Sequence, residues 1–163
     1  MHDAVRAWVA DCARRIQPRN ALEVGSRNVN GTARDAFPNT VWWGVDVESG
    51  DGVDEVRDLS GGCPLEWVET FDLVVSTETF EHSQQWHGLF DAMVDAVRTG
   101  GHILVTCASP GRPEHSAVDG GPLRAGEWYR NVEPDELDHV RVRWLKTEVN
   151  VAAGDLKAFG VKW

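Results

Sequence analysis

The sequence predicts an α/β protein, a three-layer, doubly wound, mostly parallel sheet with a C-terminal antiparallel hairpin. Three observations carry this expectation. Short apolar runs suited to buried strands alternate with segments of helical periodicity. The chain ends in two strand patterns around Ala152-Ala153-Gly154-Asp155, a hairpin signature. Its 163 residues suit one domain, 1–163, large enough to bury a proper core without staples.

Each element has its own signal. Val5, Trp8, Val9, Cys12 and Ile16 make one helical stripe, stopped by Pro18. Residues 21–24 are a short apolar run ending at Gly25, a buried strand. Asn30 is positioned to cap a short helix through Phe37, closed by Pro38. Residues 41–47 and 53–57 read as the second and third strands, and FDLVVS (71–76) as the fourth. Ser83 can cap a helix whose Trp86, Leu89, Phe90, Met93 and Val97 share a face, with Gly100-Gly101 ending it. HILVTCA (102–108) is the fifth strand, and residues 109–131 form a long loop rich in Gly and Pro, a length usually tied to function. A short helix over 134–140 precedes the hairpin strands 142–151 and 156–163. Sheets of this kind bind ligands outside the carboxyl ends of their strands, at the switch point.

Charge and composition narrow the partners. Net charge is −10, and all of it lies between Gly44 and His82, where eleven acids face one base, Arg57. With a pI near 4.9 and no basic run, binding to nucleic acid through its phosphates is not expected. A neutral or cationic small molecule is the more natural partner. Cys12, Cys63 and Cys107 are odd in number and lack metal-ligand spacing, which argues against a zinc scaffold or disulfide framework. No run reaches membrane-spanning length, and the start Met1-His2-Asp3 shows no leader pattern, so a cytoplasmic protein is expected.

Four loops follow the carboxyl ends of the central strands. The first, Glu23-Val24-Gly25-Ser26-Arg27-Asn28-Val29-Asn30-Gly31, has glycines that let backbone approach a ligand and a helix start that offers free N–H groups. Asp46 ends the second strand, where a carboxylate can take both hydroxyls of a ribose. Asp58 follows the third strand, and Ser76-Thr77-Glu78-Thr79-Phe80-Glu81-His82 the fourth.

In this order, the segments ALEVGSRNVNG, WWGVDVESGDGVDEVRD, FDLVVSTETFEH and RTGGHILVTCASPGRPEH resemble the motifs of class I S-adenosylmethionine-dependent methyltransferases, a Rossmann-like fold, and especially the small type-11-like group. The resemblance covers roughly Leu22 to Asn131. It implies S-adenosylmethionine as cofactor, with Glu23 and Gly25 framing its methionine part beside the backbone of the loop through Ser26, Arg27, Asn30 and Gly31. Asp46 would hold the ribose, Asp58 and Leu59 would lie beside the adenine, and Ser76 would pass under the sulfonium. Arg27 departs from the second glycine common in the wider family. The helix usual between the second and third strands has hardly any room, so a substrate lid must come from the 109–131 loop or another subunit, a homodimer being one such assembly.

Methyl transfer is an in-line displacement in which alignment supplies much of the acceleration. A hydroxyl acceptor gains from a general base, and the candidates are His115, His82 and Glu78, with Glu81 placed to orient His82. The alternative roles are a loop histidine at 115 and a capping histidine at 82. Asp58 can instead cap the next turn. His102 opens the fifth strand at its amino end and is read as structural, Cys107 as a small buried hydrophobe, and Trp128 and Tyr129 as core or as platforms for a sugar or ring substrate. Glu81 and His82 with an Asp are the alternative metal set; no metal is assigned.

The function expected is methyl transfer to an oxygen or nitrogen of a small molecule, a saccharide or glycan precursor among the options. The alternatives are a non-catalytic binding or structural module, a nucleic-acid methyltransferase and a nicotinamide enzyme. For a nucleic-acid methyltransferase the Asn/Asp-Pro-Pro-aromatic turn after the fourth strand is missing, and for a nicotinamide enzyme the second glycine of G-x-G-x-x-G is missing.

Overall fold

A computed structural model describes residues 3–163. The Met1-His2 start read above lies outside the described residues. Seven strands form one sheet in the order β3-β2-β1-β4-β5-β7-β6. They span Asn20–Val24 (β1), Val41–Asp46 (β2), Glu55–Val56 (β3), Phe71–Thr77 (β4), Val97–Ala108 (β5), Val142–Asn150 (β6) and Asp155–Lys162 (β7). Strands β1 to β5 pair in parallel, while β7 runs antiparallel to both β5 and β6. The chain leaves β1 outward through β2 and β3, then returns to the other side of β1 as β4. That reversal between β1 and β4 is the topological switch point, and it opens a crevice at the strands' carboxyl ends.

Among the described residues there are two α-helices, Asp3–Ala13 (α1) and Trp86–Ala96 (α2). Strand alternation explains why they lie on opposite faces. Leu73, Val75 and Leu104 point to the side where Val5, Trp8, Val9 and Cys12 of α1 pack. Val74, Ile103 and Val105 point to the other, against Phe90 and Met93 of α2. Strands buried on both faces read as near-continuous apolar runs, as β4 and β5 do. The three cysteines are free.

Several boundaries differ from expectation for local reasons. The turn after β1 is a 3₁₀ turn at Ala33–Ala36, and its cap is Thr32, whose hydroxyl accepts from Arg34 N, not Asn30. Ser83 closes a 3₁₀ turn at Phe80–His82, and α2 begins three residues later, after Gln85. Residues 134–137 form a 3₁₀ turn fixed by a Glu133/Glu136 capping box with Pro134 in its first turn, shorter than the helix expected over 134–140.

The largest difference is at Gly100-Gly101. The helix stops at Ala96 and the glycines lie inside β5, because Val97 already pairs with Phe71. The register then shifts before Leu73 meets His102. Gly100 takes φ +76°, and a Cβ on Gly101 would lie 3.0 Å from the Asp72 carbonyl oxygen. Both glycines are needed to pass the irregularity, which a helix-ending pair mimics in sequence. His102 stacks on Phe159 at 5.3 Å, the structural role expected.

Candidate functional site

The loops beyond the carboxyl ends of β1 to β5 enclose a cleft of about 1550 Å³. Of the residues singled out from the sequence as cofactor-binding or catalytic, all except Ser76 line it, whereas Glu81 and Tyr129 do not. Ser76 is fully buried within β4, and its hydroxyl has no hydrogen-bond partner.

One end of the cleft is a backbone cradle. Gly25 turns at φ +73°, and the amides of Gly25 and Ser26 both donate to the Val45 carbonyl, folding the loop over the end of β2. A Cβ on Gly25 would lie 2.1 Å from Thr79 Oγ1, so the loops after β1 and β4 meet through the space a side chain would fill. Beyond it, Gly31 N donates to Asn28 Oδ1 at 2.8 Å and Arg6 donates to the Asn30 carbonyl at 2.9 Å. The Ser26 hydroxyl is buried without a partner.

Glu23 braces this cradle while lining the cleft. Its oxygens accept from Thr32 Oγ1 (2.9 Å), Ala33 N (3.2 Å) and Arg34 Nε (2.7 Å). Asp46 sits at the tip of β2, its Oδ2 accepting from Arg27 N at 3.0 Å and its Oδ1 from Glu48 N at 3.1 Å. Both oxygens are thus fixed in space, each with a lone pair left for a ligand hydroxyl. The Arg27 side chain, at the position departing from the family, leans away to pair with Glu48. Asp58 accepts from Ser60 N at 2.8 Å, the capping contact weighed as its alternative, while still facing the cleft; Leu59 beside it is buried. Asp46, Glu48, Asp58 and Glu78 all line the walls.

The other end is a compact set of polar side chains. Glu78 follows β4 with φ +54°, a left-handed conformation costly for a residue with a Cβ. It is held there because its N–H donates to the Thr106 carbonyl at 2.7 Å and its carboxylate accepts from Thr106 Oγ1 at 2.8 Å. Arg112 ties the long loop down, reaching Asp155 at 2.7 Å and approaching Glu78 at 3.8 Å. The rings of His82, His115 and Tyr129 form a triangle with centroids 5.0, 5.4 and 4.9 Å apart.

Burial dominates the electrostatics here. Glu81 is fully buried, and desolvation together with the neighbouring Glu78 carboxylate pushes its pKa up to about 8. Desolvation and the adjacent His115 lower His82 to about 4, so it is neutral at physiological pH and a weak base. Burial also raises the Tyr129 phenol. No hydrogen bond joins Glu81 to His82, which corrects the orienting role expected of Glu81. Trp128 lines the cleft, whereas the Tyr129 ring packs edge-on against both His82 and His115. Arg112 and Thr79 lie inside motif segments but carry no role legible in the sequence; only the contact each makes shows its part.

No protein-family model and no curated protein matches the chain. Solved structures do. An S-adenosylmethionine-dependent methyltransferase from Mesorhizobium loti superposes with TM-score 0.64 at 15% identity, covering 93% of this chain and 96% of the other. The fold is that of the S-adenosylmethionine-dependent methyltransferases. Two further structures share this methyltransferase fold. The 1,6-didemethyltoxoflavin-N1-methyltransferase of Burkholderia thailandensis, with 1,6-didemethyltoxoflavin and S-adenosylhomocysteine bound, gives TM-score 0.66 at 14% identity over 99% of this chain and 83% of its own. The N-methyltransferase NodS of Bradyrhizobium japonicum gives 0.58 at 14% identity, over 98% and 97%. Among the described residues, no helix is long and apolar enough to cross a membrane.

Proposed function

We propose that this chain transfers a methyl group from S-adenosylmethionine to an oxygen or nitrogen of a small molecule. The observation that carries the reading is that the Gly25/Asp46 cradle and the His82/His115 cluster open into one cleft at the switch point. The cradle fits the cofactor. The close approach at Gly25 leaves room for backbone contact, Ser26 carries an unpartnered hydroxyl, and Asp46 presents two fixed carboxylate oxygens to a diol. Bound there, S-adenosylmethionine supplies an electrophilic methyl group on a sulfonium.

The chain's own residues supply position and proton handling. The loop 109–131 covers the acceptor side, is tied to β7 by Arg112 and is closed on itself by Ser116, whose hydroxyl donates to Glu127 at 2.7 Å. His115 lies half-buried on that loop and lines the cleft, where it can accept a proton from a hydroxyl acceptor. His82, held near pKa 4, is the poorer base. The acceptor named for a neighbour, 1,6-didemethyltoxoflavin, is a heterocycle. Trp128 on the cleft wall can stack on the flat face of such a ring.

Isothermal titration with S-adenosylmethionine, followed by an acceptor screen with methyl-labelled cofactor, tests the proposal. Micromolar binding and label transfer support it. No binding at millimolar cofactor overturns it in favour of a non-catalytic module. In the same screen, His115→Ala is expected to lower turnover far more than cofactor affinity.

A further inference from the structure

Glu81 is an anomaly that the proposed chemistry leaves without a task. It is fully buried, and its carboxylate oxygens make no hydrogen bond of normal geometry, only looser approaches to its own N–H and that of Ala108. Burying such a group unpaired is costly, and native structures keep it mainly where something else completes it. Beside it, His82 Nδ1 is also buried and unpartnered. One donor atom from each of Glu81, His82 and His115 lies within 4.8 Å of the others.

We propose that Glu81, His82 and His115 bind a divalent transition-metal ion at the acceptor end of the cleft. Two imidazoles and one carboxylate suit zinc, cobalt(II) or iron(II) better than magnesium or calcium, which prefer all-oxygen sets. Ligands of such an ion stand about 2.0–2.2 Å from it, so small side-chain rotations close the set. The rings are already oriented from behind. His115 Nδ1 lies 3.1 Å from the Pro113 carbonyl, leaving Nε2 free, and the His82 ring packs edge-on against His115 and Tyr129. Backbone contacts such as that at His115 commonly fix metal-ligating histidines.

The surroundings suit added positive charge. Glu78, Glu114 and Glu127 stand against the cluster, opposed by Arg112 and, at Glu127, by Arg124. Three protein ligands leave a coordination position open, and His82 and His115 both face the cleft. An acceptor hydroxyl taking that position loses its proton more readily, and the proton is released to water. The oxygen–methyl bond then forms as the sulfur–methyl bond breaks, with the bonding pair remaining on sulfur. That role rests on the methyl-transfer reading, whereas the binding site does not. With an ion bound, His115 acts as ligand rather than base.

Untagged, chelator-treated protein titrated with Co²⁺ tests the site by visible absorption and calorimetry. One equivalent is expected, with ligand-field bands displaced by Zn²⁺. His115→Ala and Glu81→Gln should each weaken Co²⁺ binding at least tenfold while S-adenosylmethionine affinity, titrated separately, stays the same. If Glu81→Gln fails to fold, His115→Ala, at a half-exposed loop position, still decides. Absence of stoichiometric Co²⁺ binding, or affinity unchanged by His115→Ala, overturns the site. Co²⁺ binding without cofactor binding keeps the metal site and sinks methyl transfer. Turnover undiminished by exhaustive chelation removes the ion from the reaction.

Discussion

Arg34 and Glu23 form an ion pair at 2.7 Å that joins the end of β1 to the 3₁₀ turn behind the cradle. Arg34 also donates to the Gly52 carbonyl at 2.6 Å and stands 5.8 Å from the Trp42 ring centre. One guanidinium thus braces the loops after β1 and β2 against each other. Arg34→Ala should destabilise the protein by about 1–3 kcal/mol, the range for hydrogen bonds to charged or buried groups. Urea denaturation measures this, and Arg34→Lys should recover only part of it because it cannot make the forked contact.

Asp46 spends one lone pair of each oxygen on backbone amides and keeps the others for a ligand. Asp46→Ala should weaken S-adenosylmethionine binding about tenfold or more, matching about 1.4 kcal/mol of charge-assisted hydrogen bonding. Calorimetry provides the check, and unchanged affinity removes Asp46 from the site.

Gly25 has neither the backbone angle nor the space for a side chain. Gly25→Ala should cost about 1–3 kcal/mol through overpacking and depress cofactor affinity by displacing the loop after β4. Thermal melts and titration report the two effects, and adding Thr79→Ala should restore only part of the stability.

Asp72 lies in β4 with Oδ1 accepting from Arg98 Nε at 2.6 Å and Oδ2 from Arg19 N at 2.8 Å. Burial opposes its charge, but these donors outweigh it and hold the carboxyl below its usual pKa. The folded state therefore binds this proton less readily than the unfolded state. The stability Asp72 contributes is present above the ordinary carboxylate range and lost as pH falls through its folded pKa. Asp72→Asn should be less stable than the parent at pH 7, and the gap should shrink by pH 3, as paired urea titrations will show.

Much of this molecule is legible in the amino-acid order, because buried parallel strands announce themselves as apolar runs and the hairpin by its turn. The cradle is legible for a different reason: Gly25 and Asp46 answer steric and hydrogen-bonding demands that few residues meet. The failures are contextual. Gly100-Gly101 has the local chemistry of a helix stop, and only the pairing of Val97 with Phe71 shows it to be a strand irregularity. Asn30 and Thr32 are both competent caps, and the contacts of Glu23 select Thr32. Glu81 next to His82 invites an orienting pair, but chain proximity does not fix where side chains point, and its meeting with His115, thirty-four positions away, is a product of the sheet.

The carboxylates along the cleft walls distinguish what arrives from what departs. S-adenosylmethionine carries a net positive charge at neutral pH, and the thioether left after transfer carries none. A wall bearing Asp46, Glu48, Asp58 and Glu78 attracts the first and is nearly indifferent to the second, a bias toward loading over product retention. Screening sets in over about 8 Å at 0.15 M salt. Raising the salt concentration in stopped-flow binding should therefore slow association of the sulfonium while leaving that of S-adenosylhomocysteine almost unchanged.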